Sequence, residues 1–183
     1  MATRRIQERH GSCMSASAQR LQGIQLQRNR GYGRLHCLVQ IREAEFCVVI
    51  NEVVNKPEDI GDTKGVDFLE LKNDCEQSID MTGWVISDED GKEFVMGAEG
   101  CEGKHVIDAN GYFVFFRESD CSFTFGFTKN DKATLKDGTG LVMDETEWSE
   151  GDADKGFSWS RIPDGSGPFQ TSLPTAGVQN VAA

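Results

Sequence analysis

The chain contains 183 residues, of which 38% are hydrophobic, and its formal net charge is −11. This length is sufficient for one ordinary domain with an additional segment, or for two very small domains. No apolar run approaches the roughly 20 residues that a transmembrane helix requires, so the sequence excludes such a helix. The 20 glycines and the low hydrophobic content favour short strands joined by frequent turns.

The charge is divided unevenly along the chain. Residues 1–46 contain 8 Arg, no Lys and 3 Glu, a net charge of +5, whereas residues 47–183 contain 11 Lys and Arg against 27 Asp and Glu, a net charge of −16. Residues 1–46 also lack a sustained hydrophobic period. The sequence therefore predicts a basic, poorly ordered arm over residues 1–46, followed by an acidic domain over residues 47–180.

These charges restrict the possible partners. The acidic domain disfavours nucleic-acid binding through its own surface, because phosphate contacts need Lys and Arg. The arm could contact nucleic acid, an anionic membrane or an acidic protein, or be a leader without a binding role. It also loosely resembles an organellar transit peptide, and a mis-assigned start would look the same. No secretory signal follows the N-terminal arginines, so the default expectation is an intracellular protein.

Short runs of β-branched, aromatic and alternating residues predict about eight to nine strands in the acidic domain, with no helix between them. This pattern is typical of an antiparallel β-sandwich. In chain order the predicted strands are residues 47–55, 66–73, 79–88, 92–96, 105–107, 112–117, 132–136, 140–144 and 157–162.

Two of these strands have further predicted features. In residues 79–88, Gly83 suggests a bulge or a close approach of another backbone segment, with Trp84 directed into the core. Residues 112–117 are nearly all apolar, which predicts a central strand covered on both faces. Residues 171–180 are predicted to trail off from the domain without forming a strand.

Eight short motifs follow one another along the chain, at residues 49–52, 67–73, 79–84, 111–115, 131–135, 156–161, 163–167 and 174–180. Their order resembles the lamin tail domain, an immunoglobulin-like β-sandwich, over about residues 47–180. The closing elements, with Arg161, a proline and a PTxGxxN-like motif, are more similar to the microbial and algal branch of that family than to animal nuclear lamins. The resemblance implies a protein-interaction or tethering module without catalysis of its own, although similar domains are often secreted or at the cell surface. The landmark residues that carry it include Asn51, Glu52, Glu70, Gly83, Trp84, Gly111 and Arg161.

Two alternatives stay open beside this interpretation. One is a calcium-stabilised extracellular or cell-surface adhesion domain. The other is an accessory domain separated from a nuclease or hydrolase, with the basic arm contacting DNA. An immunoglobulin-like fold does not by itself identify a ligand.

A DxDxG spacing at Asp152, Asp154 and Gly156, with Asp144 and Glu150 nearby, is the start of a possible calcium loop. Alternating oxygen ligands before a turn glycine suit Ca²⁺, but the bidentate carboxylate expected at the twelfth position is missing. A solvated acidic loop is the stronger interpretation, because short motifs often match by chance. No other cofactor is predicted.

The sequence offers no catalytic constellation. GxSxG, Walker A and GxGxxG motifs are absent. Glu52 and Glu70 are expected to form a structural ion pair with Lys72, and His105 is expected to be a packed or surface residue. The sequence therefore predicts a protein that is not an enzyme.

The six cysteines include no CxxC pair, so the usual zinc signature is missing. Cys101 and Cys121 flank a predicted strand and could form a disulfide, although free thiols in a reducing compartment are the preferred expectation. Trp148 falls in a predicted acidic loop over residues 145–155 and is expected to be an exposed contact residue.

Overall fold

A computed structural model describes residues 46–58 and 65–183, and within them the chain forms twelve β-strands and no helix. The predicted basic arm, apart from Phe46, lies outside the described residues. The strands are β1 (Val48–Val54), β2 (Phe68–Asn73), β3 (Ile79–Asp80), β4 (Val85–Ser87), β5 (Glu93–Val95), β6 (Val106–Ile107), β7 (Tyr112–Phe116), β8 (Asp131–Lys136), β9 (Val142–Trp148), β10 (Ser158–Arg161), β11 (Phe169–Leu173) and β12 (Val181–Ala182).

The strands form two main antiparallel sheets and one short pair. A six-stranded sheet has the order β12-β11-β10-β1-β2-β7, a four-stranded sheet has the order β5-β4-β8-β9, and β3 pairs with β6. The two main sheets enclose one apolar core, because alternate side chains of each sheet point inward. Fully buried members of that core are Ile50, Leu69, Leu71, Phe115, Ile86, Ala133 and Leu135. The predicted all-β, immunoglobulin-like sandwich is confirmed.

A β-bulge interrupts the ladder between β1 and β2. Ile50 lies opposite Leu71, but Glu52 lies opposite Glu70, so Asn51 is the additional residue. A bulge of this kind changes which residues share a face of the strand. It brings Glu52 and Glu70 together while Ile50 stays in the core.

The predicted single strand over residues 79–88 is two strands. The backbone turns at Gly83, whose φ is +83°, and the N–H of Trp84 donates to the carbonyl of Met81 at 2.9 Å. The chain leaves the β3–β6 pair there and enters the four-stranded sheet. Trp84 is partly buried and packs against the core. Gly83 lies in the turn between two strands and not in a bulge within one strand.

Three other expectations are also corrected. β7 is the terminal strand of the six-stranded sheet rather than a central one, and Phe116 is 40% exposed. β9 continues to Trp148, which the sequence had suggested to be in a loop. Residues 169–173 and 181–182 form β11 and β12 and extend the sheet beyond β10, so the C-terminal part does not trail off. No helix among the described residues is long and apolar enough to cross a membrane.

Candidate functional site: a carboxylate cluster beneath the C-terminal segment

The most unusual group of side chains in the described structure is a cluster of buried carboxylates on the outer face of the six-stranded sheet. Glu52 and Glu70 both have no exposed surface, and neighbouring Asn51 is equally buried. The amide of Asn51 donates a 2.9 Å hydrogen bond to Oε1 of Glu70. We call Glu52, Glu70 and Asp164, which approaches from the loop after β10, the carboxylate cluster.

Residues 174–180, which we call the strap, connect β11 to β12 and cover this cluster. The N–H of Thr175 donates to both carboxylate oxygens of Glu52, at 3.0 and 3.2 Å. The N–H of Gly177 donates to Oε2 of Glu70 at 2.6 Å. Both oxygens of each glutamate therefore accept hydrogen bonds from within the protein.

The third carboxylate joins the strap to the loop after β10. Oδ1 of Asp164 accepts a 3.1 Å hydrogen bond from the N–H of Asn180, and the hydroxyl of Tyr112 donates to Oδ2. The Asn180 amide donates to the carbonyls of Asn51 and Arg161, at 3.2 and 2.9 Å. The C-terminal end of the strap is thus fixed to β1, to β10 and to the loop after β10.

Burial determines the electrostatics of the cluster. The pKa of Glu70 is raised to about 7, chiefly by removal from water. The charges of Glu52 and Asp164 act in the same direction, and its hydrogen bonds from Asn51 and Gly177 act in the opposite one. Burial also raises the pKa of Glu52, for which the hydrogen bonds from Ser158 and Thr175 act in the opposite direction. Burial and the hydrogen bond to Asp164 raise the pKa of the Tyr112 hydroxyl.

The expected ion pair between Lys72 and the glutamates is replaced by another arrangement. The Lys72 ammonium group lies 3.8 Å from Asp74, donates to the carbonyl of Asn110, and lies 4.6 Å from the centroid of the Tyr112 ring. Lys72 thereby holds the turn before β7.

A perturbed carboxylate can be a catalytic acid or base, but it must reach a substrate. Here the strap covers both glutamates, and their oxygens are occupied by Asn51 and by backbone N–H groups of the strap. The arrangement is suited to holding the C-terminal segment on the sheet.

Asp144, one of the four carboxylates proposed for calcium, instead joins the two sheets. Its oxygens lie 3.0 Å from the Arg161 guanidinium and accept the N–H of Ile50 at 2.8 Å. Nε of Arg161 donates to the carbonyl of Ile50 at 3.0 Å, and its guanidinium carbon lies 4.5 Å from the centroid of the Phe169 ring. The pair thus provides hydrogen-bond partners for the backbone N–H and carbonyl groups of Ile50, next to the β1 bulge.

The other three proposed calcium ligands have separate partners. Asp152 accepts the N–H of Ser149 at 2.8 Å, Glu150 pairs with Lys129 at 2.8 Å, and Asp154 lies 3.8 Å from Lys56. In residues 46–58 and 65–183 no three His, Cys, Asp or Glu side chains are grouped so that they could hold a metal ion. The structure does not bring the four carboxylates together.

Trp148 is buried rather than available for contact. It is 4% exposed and packs against the ring of Phe127, with the ring centroids 5.5 Å apart. Its Nε1–H donates to the carbonyl of Thr128 at 2.9 Å, and the amide of Asn55 donates to the same carbonyl at 2.7 Å. The expectation of an exposed tryptophan is wrong, because residue 148 ends a strand whose alternate side chains point inward.

Four cysteines of the described part form two disulfides, Cys47–Cys75 and Cys101–Cys121. The second pair is the one that the sequence suggested, whereas the first was not expected. Its only sequence signal was that Cys47 and Cys75 flank the first two predicted strands.

Several exposed acidic residues lie together in the turns around β3 and β6 and at the end of β3. At the end of the sandwich where β1 begins, Asp74, Glu76, Asp80 and Asp108 are all exposed. Buried Asn73 organises this end, since its amide donates to the carbonyls of Gln77 and Asp108. We call these four exposed carboxylates the acidic end.

Comparison with protein families identifies a match. The family model described as Lamin Tail Domain matches residues 43–150, more than half of the chain. The match ends before β10, although β10, β11 and β12 belong to the same sheet as β1. A comparison with curated proteins finds no match.

Proposed function

The chain belongs to the lamin tail domain family, and on that premise we propose that it is a non-catalytic protein-interaction or tethering module. The observation that carries this proposal is the closure of the carboxylate cluster: the strap donates backbone hydrogen bonds to Glu52 and to Glu70. The ionisable groups with the most unusual surroundings thus support the fold, which leaves binding to the exposed turns.

The acidic end is the surface that we propose for partner binding. Its four carboxylates are exposed, and the acidic domain carries a net charge of −16 over residues 47–183. A protein partner with a basic surface would be attracted to it, and the association would weaken at higher ionic strength.

The test is capture of partners from the native cell by immobilised full-length chain. We expect a specific partner whose retention falls when Glu76→Gln, Asp80→Asn and Asp108→Asn are combined. The matched control removes three exposed carboxylates from elsewhere on the domain, by Glu89→Gln, Glu147→Gln and Asp154→Asn. If both variants retain the partner equally, the acidic end is not the binding surface. If the unmodified chain retains no specific partner at any salt concentration, the proposed function is rejected.

One observation also favours a second candidate, a secreted or cell-surface adhesion domain. The two disulfides are typical of proteins that fold in oxidising surroundings. This candidate predicts a partner on another cell or in the matrix. It does not require a bound calcium ion.

A further inference from the structure

Every cysteine in the described part of the chain is paired. Cys47 bonds to Cys75 and Cys101 bonds to Cys121, with Cα atoms 5.4 and 5.6 Å apart. Such separations are typical of disulfides and require backbones that already approach each other. The pairing uses four of the six cysteines in the sequence, and the other two, Cys13 and Cys37, lie outside the described residues.

The first disulfide closes the open end of the β1–β2 pair. The N–H of Asp74 donates to the carbonyl of Cys47 at 2.7 Å, so the segments that carry the two cysteines are already aligned. Cys75 is 7% exposed, and its N–H donates to Oδ1 of buried Asn73. The cross-link therefore lies within a hydrogen-bonded part of the fold.

The second disulfide joins the loop before β6 to the loop after β7. Two other contacts connect the same loops: Lys104 pairs with Asp120 at 2.7 Å, and Nε2 of His105 donates to the carbonyl of Cys121 at 2.8 Å. His105 must donate through Nε2, because its Nδ1 accepts the N–H of Gly97. Buried His105 has a defined structural role beside the disulfide.

The backbone of the second loop supports a constrained structure. Glu118 has a φ of +61° and Cys121 a φ of +57°, values that residues other than glycine adopt uncommonly. Two such residues within four positions persist where surrounding contacts determine the conformation. The disulfide, the ion pair and the histidine are those contacts.

Neither pair has the features of a redox-active or metal-binding site. The partners are 28 and 20 positions apart, unlike the CxxC arrangement of thiol oxidoreductases. Within the described residues no group of three or more His, Cys, Asp and Glu side chains could hold a metal. The remaining role for both pairs is structural cross-linking.

We infer that the domain matures in an oxidising compartment, where Cys47–Cys75 and Cys101–Cys121 become permanent structural cross-links. Each closure joins two thiols, releases two protons and transfers two electrons to a disulfide-donating oxidant, which is reduced to two thiols. The inference does not depend on the identity of the binding partner. It replaces the intracellular default that the sequence suggested.

The direct test traps thiols in the native cell. The cells are quenched with acid, free thiols are blocked with a maleimide under denaturing conditions, and the full chain is digested with trypsin without reduction. At least one trypsin cleavage site lies between each of the four paired cysteines and the next, so each of the four falls in a different peptide. We expect two cross-linked peptide pairs, 47 with 75 and 101 with 121, and their maleimide-labelled forms would overturn the inference.

A second measurement tests the structural role. Dithiothreitol should lower the melting temperature of the purified full chain, and Cys101→Ser with Cys121→Ser should lower it by on the order of 10 °C. The matched control, Cys13→Ser with Cys37→Ser, should leave both peptide pairs intact. If the reduced chain melts at the same temperature as the oxidised chain, the cross-links are not structural and the inference fails.

Discussion

The backbone N–H of Gly177 donates a 2.6 Å hydrogen bond to Oε2 of Glu70, although the two residues are 107 positions apart. This bond and its counterpart between Thr175 and Glu52 hold the strap on the outer face of β1 and β2. A face that is open to solvent in many antiparallel sheets is covered here by a segment without regular structure. The cover is maintained by buried carboxylates, which makes it sensitive to protonation.

The first prediction concerns pH. The folded-state pKa of Glu70 is about 7, above its ordinary value of 4.5, so the folded protein binds more protons than the unfolded chain between these pH values. Protonated Glu70 therefore contributes about 3 kcal/mol to the free energy of unfolding. This contribution is fully present below pH 4.5 and is lost as the pH rises through 7. The raised pKa of Glu52 acts in the same direction.

Urea unfolding at pH 5, 6, 7 and 8 measures this effect, and Glu70→Gln should flatten the dependence. Glu145→Gln, at an exposed position on β9, is the control and should keep the slope of the parent. The lowered pKa values of Asp80 and Asp120 change stability only at more acidic pH. A Glu70→Gln variant with the slope of the parent would contradict the assignment.

The second prediction concerns the strap. Truncation after Leu173 removes the N–H groups that contact the carboxylate cluster and should lower the free energy of unfolding by about 3 kcal/mol or more, because buried acceptors lose their donors. Removal of residues 181–183 alone keeps the strap and should cost less than half as much. Urea denaturation compares the two, and equal losses would show that β12 rather than the strap provides the stability.

The third prediction concerns Asp144 and Arg161. Their side chains are 14% and 18% exposed, and together they satisfy both backbone groups of Ile50. Arg161→Ala should cost about 2–4 kcal/mol, since it leaves a half-buried carboxylate without its cation. A double-mutant cycle with Asp144→Ala should give a coupling energy of at least about 1 kcal/mol. Additive effects would mean that the pair is not coupled.

The fourth prediction compares two tryptophans. Trp148→Ala should destabilise the domain by about 3–5 kcal/mol, as expected for a buried large aromatic residue, and partly buried Trp84→Ala should cost less. Trp148→Phe retains most of the volume but loses the hydrogen bond to Thr128, which should account for about 1 kcal/mol of its effect. The free energies of unfolding of the three variants provide the measurement. The reverse order of the two alanine variants would be incompatible with the observed burial.

The fifth prediction concerns calcium. Because Asp144 is held by Arg161, Glu150 by Lys129 and Asp152 by the N–H of Ser149, we expect millimolar Ca²⁺ to leave the melting temperature unchanged. Tryptophan fluorescence during the same titration gives a second readout. Mg²⁺ at equal concentration controls for ionic strength. A rise in melting temperature with Ca²⁺ alone would show that the loop rearranges to bind it.

Local sequence patterns were sufficient for the strands that they define. Residues 48–54, 68–73 and 131–136 alternate or combine β-branched and apolar residues, and they form β1, β2 and β8. The landmark residues similarly indicated the family, because turn glycines and core aromatics keep their order along the chain. The position of β7 at a sheet edge was not evident, since an apolar run indicates burial but not which neighbours provide it.

The fold class, the division of charge and the lack of a recognisable catalytic motif can all be read from the amino-acid order, because they depend on composition and on spacing over a few residues. Three contacts became evident only in the folded chain: the strap covers Glu52 and Glu70, Asp144 pairs with Arg161, and Cys47 bonds to Cys75. Each of these contacts joins residues far apart in the chain. Their energies come from burial and hydrogen bonding that exist only when the two sheets and the C-terminal segment have assembled.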